Sequence, residues 1–193
     1  SQINGVDLST TRLDVAAVAA EIQRFHHLDL ILDEAGTCRI TGTSLNQRLC
    51  FFHWLRRALR ISPDFTTQQA ALALHQGMAA FHQAGAEETD RVLHTLIEQA
   101  EVRLRRPVND RDRHFLCLFI KYCLNCHHQL CHPGFPPPQL TWLRQKSECD
   151  AASYLAAALA ERFALPPCEA ERDFLTLLFS LLKTHSYDSS DSP

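Results

Sequence analysis

Glycine is scarce in this chain, with 6 among 193 residues, and none of it forms a loop able to cradle a phosphate. No apolar run reaches the roughly 18 to 20 residues of a membrane helix, and nothing at the N-terminus resembles a signal peptide. Positive charge is not in excess: the formal net charge of −3 gives no overall pull toward nucleic acid or membrane. Neither a Ser-His-Asp set nor a paired-carboxylate site can be picked out, so the sequence predicts no enzyme, no small-molecule substrate and no cofactor. An initiator Met is missing too. The chain opens Ser1-Gln2-Ile3-Asn4-Gly5, as a processed or shortened chain would.

What is there favours helices. A chain of 193 residues has room for one domain, or for one and a small second. At 46% hydrophobic and 21% charged it has the composition of a soluble globular protein, and Ala, Leu, Gln and Arg, all good helix formers, are abundant. Of its eight cysteines, Cys50, Cys117, Cys123 and Cys126 sit inside apolar helical patterns, where a free thiol behaves as a small buried hydrophobe. That placement predicts a reduced, cytoplasmic protein rather than a disulfide framework.

The first forty residues differ from the rest. Asp7 to Thr11 supply N-cap candidates before Leu13, Val15, Val18, Ile22 and Phe25, an apolar series at helical spacing. Strands are expected over 28–32 and 37–41, joined by the turn residues 33–36. A helix followed by a small hairpin is the latter half of a winged helix-turn-helix.

From Leu45 onward the pattern predicts helices alone. The first covers 45–59, with Leu49, Phe52, Leu55 and Leu59 on one side and Arg48, Arg56, Arg57 and Arg60 on the other. Pro63 ends it. A second is expected over 65–83, closed by Gly85, and a third over 89–105, with Val92, Leu96, Ala100 and Leu104 on one face. A fourth, capped by Asp110 or Asp112, runs to about His128. The proline-rich stretch 132–138 reads as a stiff loop that cannot be helix. A fifth helix over 140–163, kinked or split near Asp150, and a last over 169–184 complete the layout. The polar tail after Ser186 is expected to fray.

Two parts of that layout carry a resemblance. Gly5-Val6-Asp7-Leu8-Ser9-Thr10-Thr11-Arg12-Leu13 and Gly36-Thr37-Cys38-Arg39-Ile40-Thr41-Gly42 resemble the recognition helix and wing of bacterial regulators. Residues 93–128 and 171–179 resemble a PTS regulation domain, the helical bundle of sugar-responsive antiterminators and activators. Residues 45–57, 114–119 and 177–180 fit one enteric regulator of this architecture, and the match spans nearly the whole chain. In that family the sugar phosphotransferase system phosphorylates histidines in the bundle, shifting dimerisation and with it the activity of the nucleic-acid-binding part. The resemblance therefore implies a homodimer, DNA contact through Thr10, Thr11, Arg12, Arg24 and Arg39, and phosphotransferase proteins as partners.

The family's phosphohistidines are missing. Where the first belongs, Leu116-Cys117-Leu118-Phe119-Ile120 has Phe119; where the second belongs, Glu171-Arg172-Asp173-Phe174-Leu175-Thr176-Leu177-Leu178-Phe179 has Leu178. Neither side chain can accept a phosphoryl group, so the resemblance implies a bundle kept and a switch lost at these positions, with His114 and His128 as substitute acceptors. The helix before the wing is rich in Ala and Val, which suits packing on protein better than reading a groove.

A competing chemistry lies in Cys123-Leu124-Asn125-Cys126-His127, literally C-x-x-C-H, followed by Cys131-His132. As a zinc set, Cys123, Cys126, Cys131 and His132 would supply enough ligands. Against it, Cys123 and Cys126 continue the apolar stripe of a helix, whereas structural zinc sits on knuckles and turns; no metal is expected. The histidine pairs at 26–27 and 127–128 suit helix C-termini, and the basic run 103–113 carries its own aspartates.

The sequence thus predicts a mainly α protein: a partial winged helix-turn-helix over 1–44, a linking helical pair over 45–88, a PTS-regulation-like bundle over 89–187 and a flexible tail over 188–193. It predicts a cytoplasmic transcriptional regulator acting through dimerisation. The alternatives are an interaction module that does not bind DNA, and a thiol or metal sensor.

Overall fold

The computed structural model describes the backbone of residues 29–32 and 38–190 and the side chains of 42–182. The chain divides into two compact units, Ser1–Trp54 and Leu55–Pro193. In the first, β1 (Asp29–Leu32) pairs antiparallel with β2 (Cys38–Thr41), Asp29 opposite Thr41 and Leu32 opposite Cys38. The helix expected to precede β1 lies outside the described residues, and with it Thr10, Thr11, Arg12 and Arg24. Arg39 lies on β2 opposite Ile31; its side chain is also outside the description.

All the other described elements are helices: α1 (Ser44–Ile61), α2 (Pro63–Met78), α3 (Ala86–Leu104), α4 (Asp110–His128), α5 (Pro137–Arg144), α6 (Glu148–Arg162) and α7 (Glu169–Ser190). The protein is mainly α, as the composition implies. Helix α1 stops at Ser62 because Pro63 opens α2 in its place. Arg48, expected on the polar side of α1, is only 1% exposed. Helix α2 ends at Met78 rather than near Gln83, and Gly85, expected to close it, instead precedes α3 in an extended conformation. The buried row of α3 is Thr89, Leu93, Ile97 and Ala100, turned one residue from the expected face.

In the second unit α4 is the central element. Phe115 to Ile120 form an unbroken, mostly apolar run, and a helix apolar on every side belongs inside a bundle. Phe115, Leu116, Cys117, Leu118, Phe119 and Ile120 are all buried, and α2, α3 and α7 all pack against α4. Its cap is Asn109, whose side chain accepts the Asp112 amide at 2.7 Å, not Asp110 or Asp112. Asp112 faces Arg56 instead, at 2.9 Å. Helix α6 packs on α3 and α7, through the buried residues Ala151, Ala152, Leu155 and Leu159. Each Leu or Phe withdrawn from water in this core contributes about 1.5–3 kcal/mol.

One expectation, about the proline loop, is corrected. Pro137 and Pro138 are helical, at the start of α5, where a missing N–H costs nothing and the fixed φ suits the helix. The fifth helix, expected over 140–163 with a kink or split near Asp150, is split, with the break at 145–147. Helix α7 runs to Ser190, beyond Thr184.

Three helix ends turn on left-handed residues that are not glycine: Arg105 (φ 58°), Leu130 (φ 62°) and Ala164 (φ 54°). After α4 the Cys131 amide donates to Cys126 O at 2.9 Å and the Leu130 amide to His127 O at 3.0 Å. After α6 the Leu165 amide donates to Ala160 O at 2.9 Å. These are Schellman closures, which satisfy the last carbonyls and turn the chain sharply away from the axis.

Candidate functional site

The two positions that the sequence resemblance aligns with phosphohistidines, Phe119 and Leu178, lie in the apolar core. Phe119 and Leu178 are both 0% exposed. The Phe119 ring stacks on Phe115 (centroids 5.4 Å, 21° between planes) and on Phe174 of α7 (6.1 Å, 18°). Leu178 follows Phe174 by one turn of the same helix, so both positions belong to the packing of α4 with α7. Centroid separations of this size suit aromatic pairs, worth about 0.5–1.5 kcal/mol beyond the area they bury.

The histidines named as substitute acceptors occupy two different surfaces. His114 is exposed, with Nε2 2.8 Å from the Thr67 hydroxyl of α2. Partial burial lowers its pKa by desolvation, and its neighbour His94 lowers it further. The neutral imidazole is therefore its dominant form at neutral pH. His128, at the end of α4, is exposed and lies face to face with Phe81, centroids 4.4 Å apart.

Beside His114 runs a polar seam between α3 and α4. Lys121, almost wholly buried, pairs with Asp90 at 2.5 Å, and the Cys117 thiol donates to the same carboxylate at 3.8 Å. Burial pushes the Cys117 pKa up to about 12, so it stays a neutral thiol and an inert part of the packing.

A third group lies where the loop after α4 meets the start of α7. The Schellman closure of α4 directs the chain through Cys131 to His132, whose Nδ1 stands 2.8 Å from Glu171 Oε2. His127, the last residue but one of α4, sets its ring edge-on against His132 (centroids 5.0 Å, 74°), and its Nε2 lies 2.7 Å from Pro166 O. Cys168 immediately precedes α7, three residues before Glu171, so both face the same side of its first turn. Ligand atoms of His132, Cys168 and Glu171 all lie within 4.8 Å of one another. A partly enclosed cavity of about 30 Å³ adjoins them, lined on its polar side by Cys123, His127, Cys168 and Glu171.

The sequence set Cys123, Cys126, Cys131 and His132 is thus broken up. Among the described residues, His132 alone of the four enters a metal-competent group, with Cys168 and Glu171 as its companions. Cys123 is buried on α4, Cys126 half-exposed on the same helix, and Cys131 exposed with its thiol donating to Gln129 O at 3.7 Å. Cys168 and Glu171 were missed as a pair. Cys168-x-x-Glu171 at a helix start is visible in the text, but its partner His132 is 39 residues from Glu171, and no periodicity connects them.

No protein-family model matches the chain, and no solved structure matches it. Over 183 residues, 95% of its length, the sequence is 38% identical to the stationary phase-inducible protein CsiE of Escherichia coli (strain K12). It spans 43% of that protein's own length. Across nearly all its residues, then, the chain is a relative of a stationary phase-inducible protein.

Proposed function

We propose that this chain is a stationary-phase-inducible transcriptional regulator of the cytoplasm, acting through association with a second copy and not through phosphorylation at positions 119 and 178. The observation that carries this reading is the complete burial of Phe119 and Leu178 in the packing of α4 with α7. A phosphohistidine switch needs an imidazole that a phosphoryl donor can reach. At these two positions the chain has invested in apolar packing, which keeps the bundle and leaves it free to serve as an association surface. The resemblance of 5–42 to a recognition helix and wing supports the regulatory part, and the name of the E. coli relative supports induction in stationary phase.

The test is incubation with phosphoenolpyruvate and the general phosphotransferase components, read by intact mass. The expected result is no added phosphate, together with a dimer in sedimentation. Phosphate mapped to His114 or His128 overturns the reading and restores a sugar-responsive switch through a substitute acceptor.

A second reading, an interaction module that leaves DNA alone, has its own support. Ile61, Phe65 and Leu72 at the α1–α2 corner are 71%, 59% and 57% exposed, and Phe65 and Leu72 lie two turns apart on one side of α2. Fluorescence anisotropy with duplex DNA separates the two: a regulator shows affinity that falls steeply with salt, and an interaction module shows none.

A further inference from the structure

We propose that His132, Cys168 and Glu171 form a binding site for one divalent transition-metal ion of the zinc type, with water from the adjoining cavity as fourth ligand. The inference is independent of the regulatory reading.

The local sequence presents all three ligands on firm supports. Cys168 immediately precedes α7 and Glu171 lies in its first turn, and the Arg172 amide bonds back to Cys168 O at 3.3 Å, so the cysteine backbone is fixed by the helix it precedes. His132 is fixed from the other side by the closure of α4, by the His127 ring set against it and by Glu171 itself. Glu171 is buried, and Cys168 and His132 are half-buried. Preorganisation of this kind lowers the entropic cost of gathering ligands around an ion.

The geometry needs only a small adjustment. Metal–ligand bonds of about 2.0–2.3 Å in a tetrahedron put neighbouring ligand atoms about 3.3–3.7 Å apart. The ligand atoms here lie within 4.8 Å of one another, and the His132–Glu171 contact is 2.8 Å. The cysteine closes in by up to an ångström or so while the imidazole and carboxylate part slightly. A cavity of about 30 Å³ is large enough to hold a water molecule, which suits a fourth ligand.

The donor set selects the ion. One thiolate, one imidazole and one carboxylate suit a borderline-soft cation, while calcium and magnesium require oxygen donors throughout. Coordination removes the thiol proton. The thiolate and carboxylate then balance the two charges of the cation, so no net charge is left in a half-buried place. Bound there, the ion would tie the loop after α4 to the start of α7.

The test uses the full chain, stripped by a chelator and titrated with Zn²⁺ against a chromophoric competitor and with Co²⁺ by absorption. One ion per chain and a near-ultraviolet thiolate-to-cobalt charge-transfer band are expected. Cys168→Ser abolishes the band, and Glu171→Gln, which still pairs with His132, weakens Zn²⁺ binding by about tenfold or more. Cys123→Ala keeps the band. Far-ultraviolet circular dichroism of the metal-free variants at wild-type level shows that lost binding is not lost folding. Absence of stoichiometric binding overturns the proposal. So does a band that survives Cys168→Ser, or one that disappears only when Cys123, Cys126 and Cys131 are replaced together.

Discussion

Asn125 occupies the place where residue 77 would carry a side chain. Its carboxamide donates to Lys121 O at 2.9 Å within α4 and to Leu74 O at 3.3 Å across to α2. A Cβ at Gly77 would run into that carboxamide. Glycine here therefore sets how closely α2 approaches α4. Gly77→Ala gains helix propensity of about 1 kcal/mol but forces the carboxamide away, at the roughly 1–3 kcal/mol typical of overpacking. The expected net loss is about 1 kcal/mol, a fall in Tm of about 2–4 °C, measured by thermal denaturation. The double variant Gly77→Ala/Asn125→Ala should recover most of the loss.

Glu148 ties pH to stability. Burial alone would raise its pKa, but its own main-chain N–H and Arg106 (3.1 Å) outweigh burial and bring it below the ordinary 4.5. A carboxyl depressed in the folded state stabilises the protein above its unfolded pKa, and that stability disappears as pH falls through the folded value. Urea midpoints measured from pH 7 down to pH 3 should show wild type losing its advantage over Glu148→Gln below about pH 4.5. An advantage unchanged by acid would deny the carboxylate its role.

Ala164 ends α6 in the left-handed region, with φ 54°. For a residue with a Cβ that conformation costs about 1–2 kcal/mol, against about 0.4–1 kcal/mol of added chain entropy when glycine is introduced. Ala164→Gly is therefore expected to stabilise the protein by about 0.5–1 kcal/mol, seen as a higher urea midpoint with unchanged slope. The residue is exposed, so no packing is lost in exchange.

Much of the fold was legible because its signals are local. Pro63 marks the junction of α1 and α2, and the unbroken Phe115–Ile120 run identifies a central helix. What escaped depended on choices that neighbouring elements make. Asn109 caps α4, while of the two expected caps Asp110 pairs with Arg113 and Asp112 with Arg56. The face of α3 is set by where α4 and α6 lie, which placed Leu93 and Ile97 inward and left Val92 and Leu96 half-exposed. Pro137 and Pro138 read as loop because proline forbids helix interiors, yet the first turn welcomes it. Of the candidate metal group, the sequence offered His132 beside Cys123, Cys126 and Cys131, whereas the structure sets it beside Cys168 and Glu171. Cys123 and Cys126 lie within α4 and Cys131 after its end, while Cys168 and Glu171 come from the start of a different helix.

The burial of α4 also sets a clock. Amide protons on a helix enclosed by α2, α3 and α7 exchange with solvent only when the whole bundle opens, so Phe115 to Leu124 should be the last to take up deuterium. Helix α5, eight residues long with Leu143 its one buried residue, should exchange far sooner, through local opening. The slowest amides of α4 thus report the global free energy of the bundle directly. Any ligand or partner that binds only the folded bundle will slow them by the factor its binding adds to the folding equilibrium.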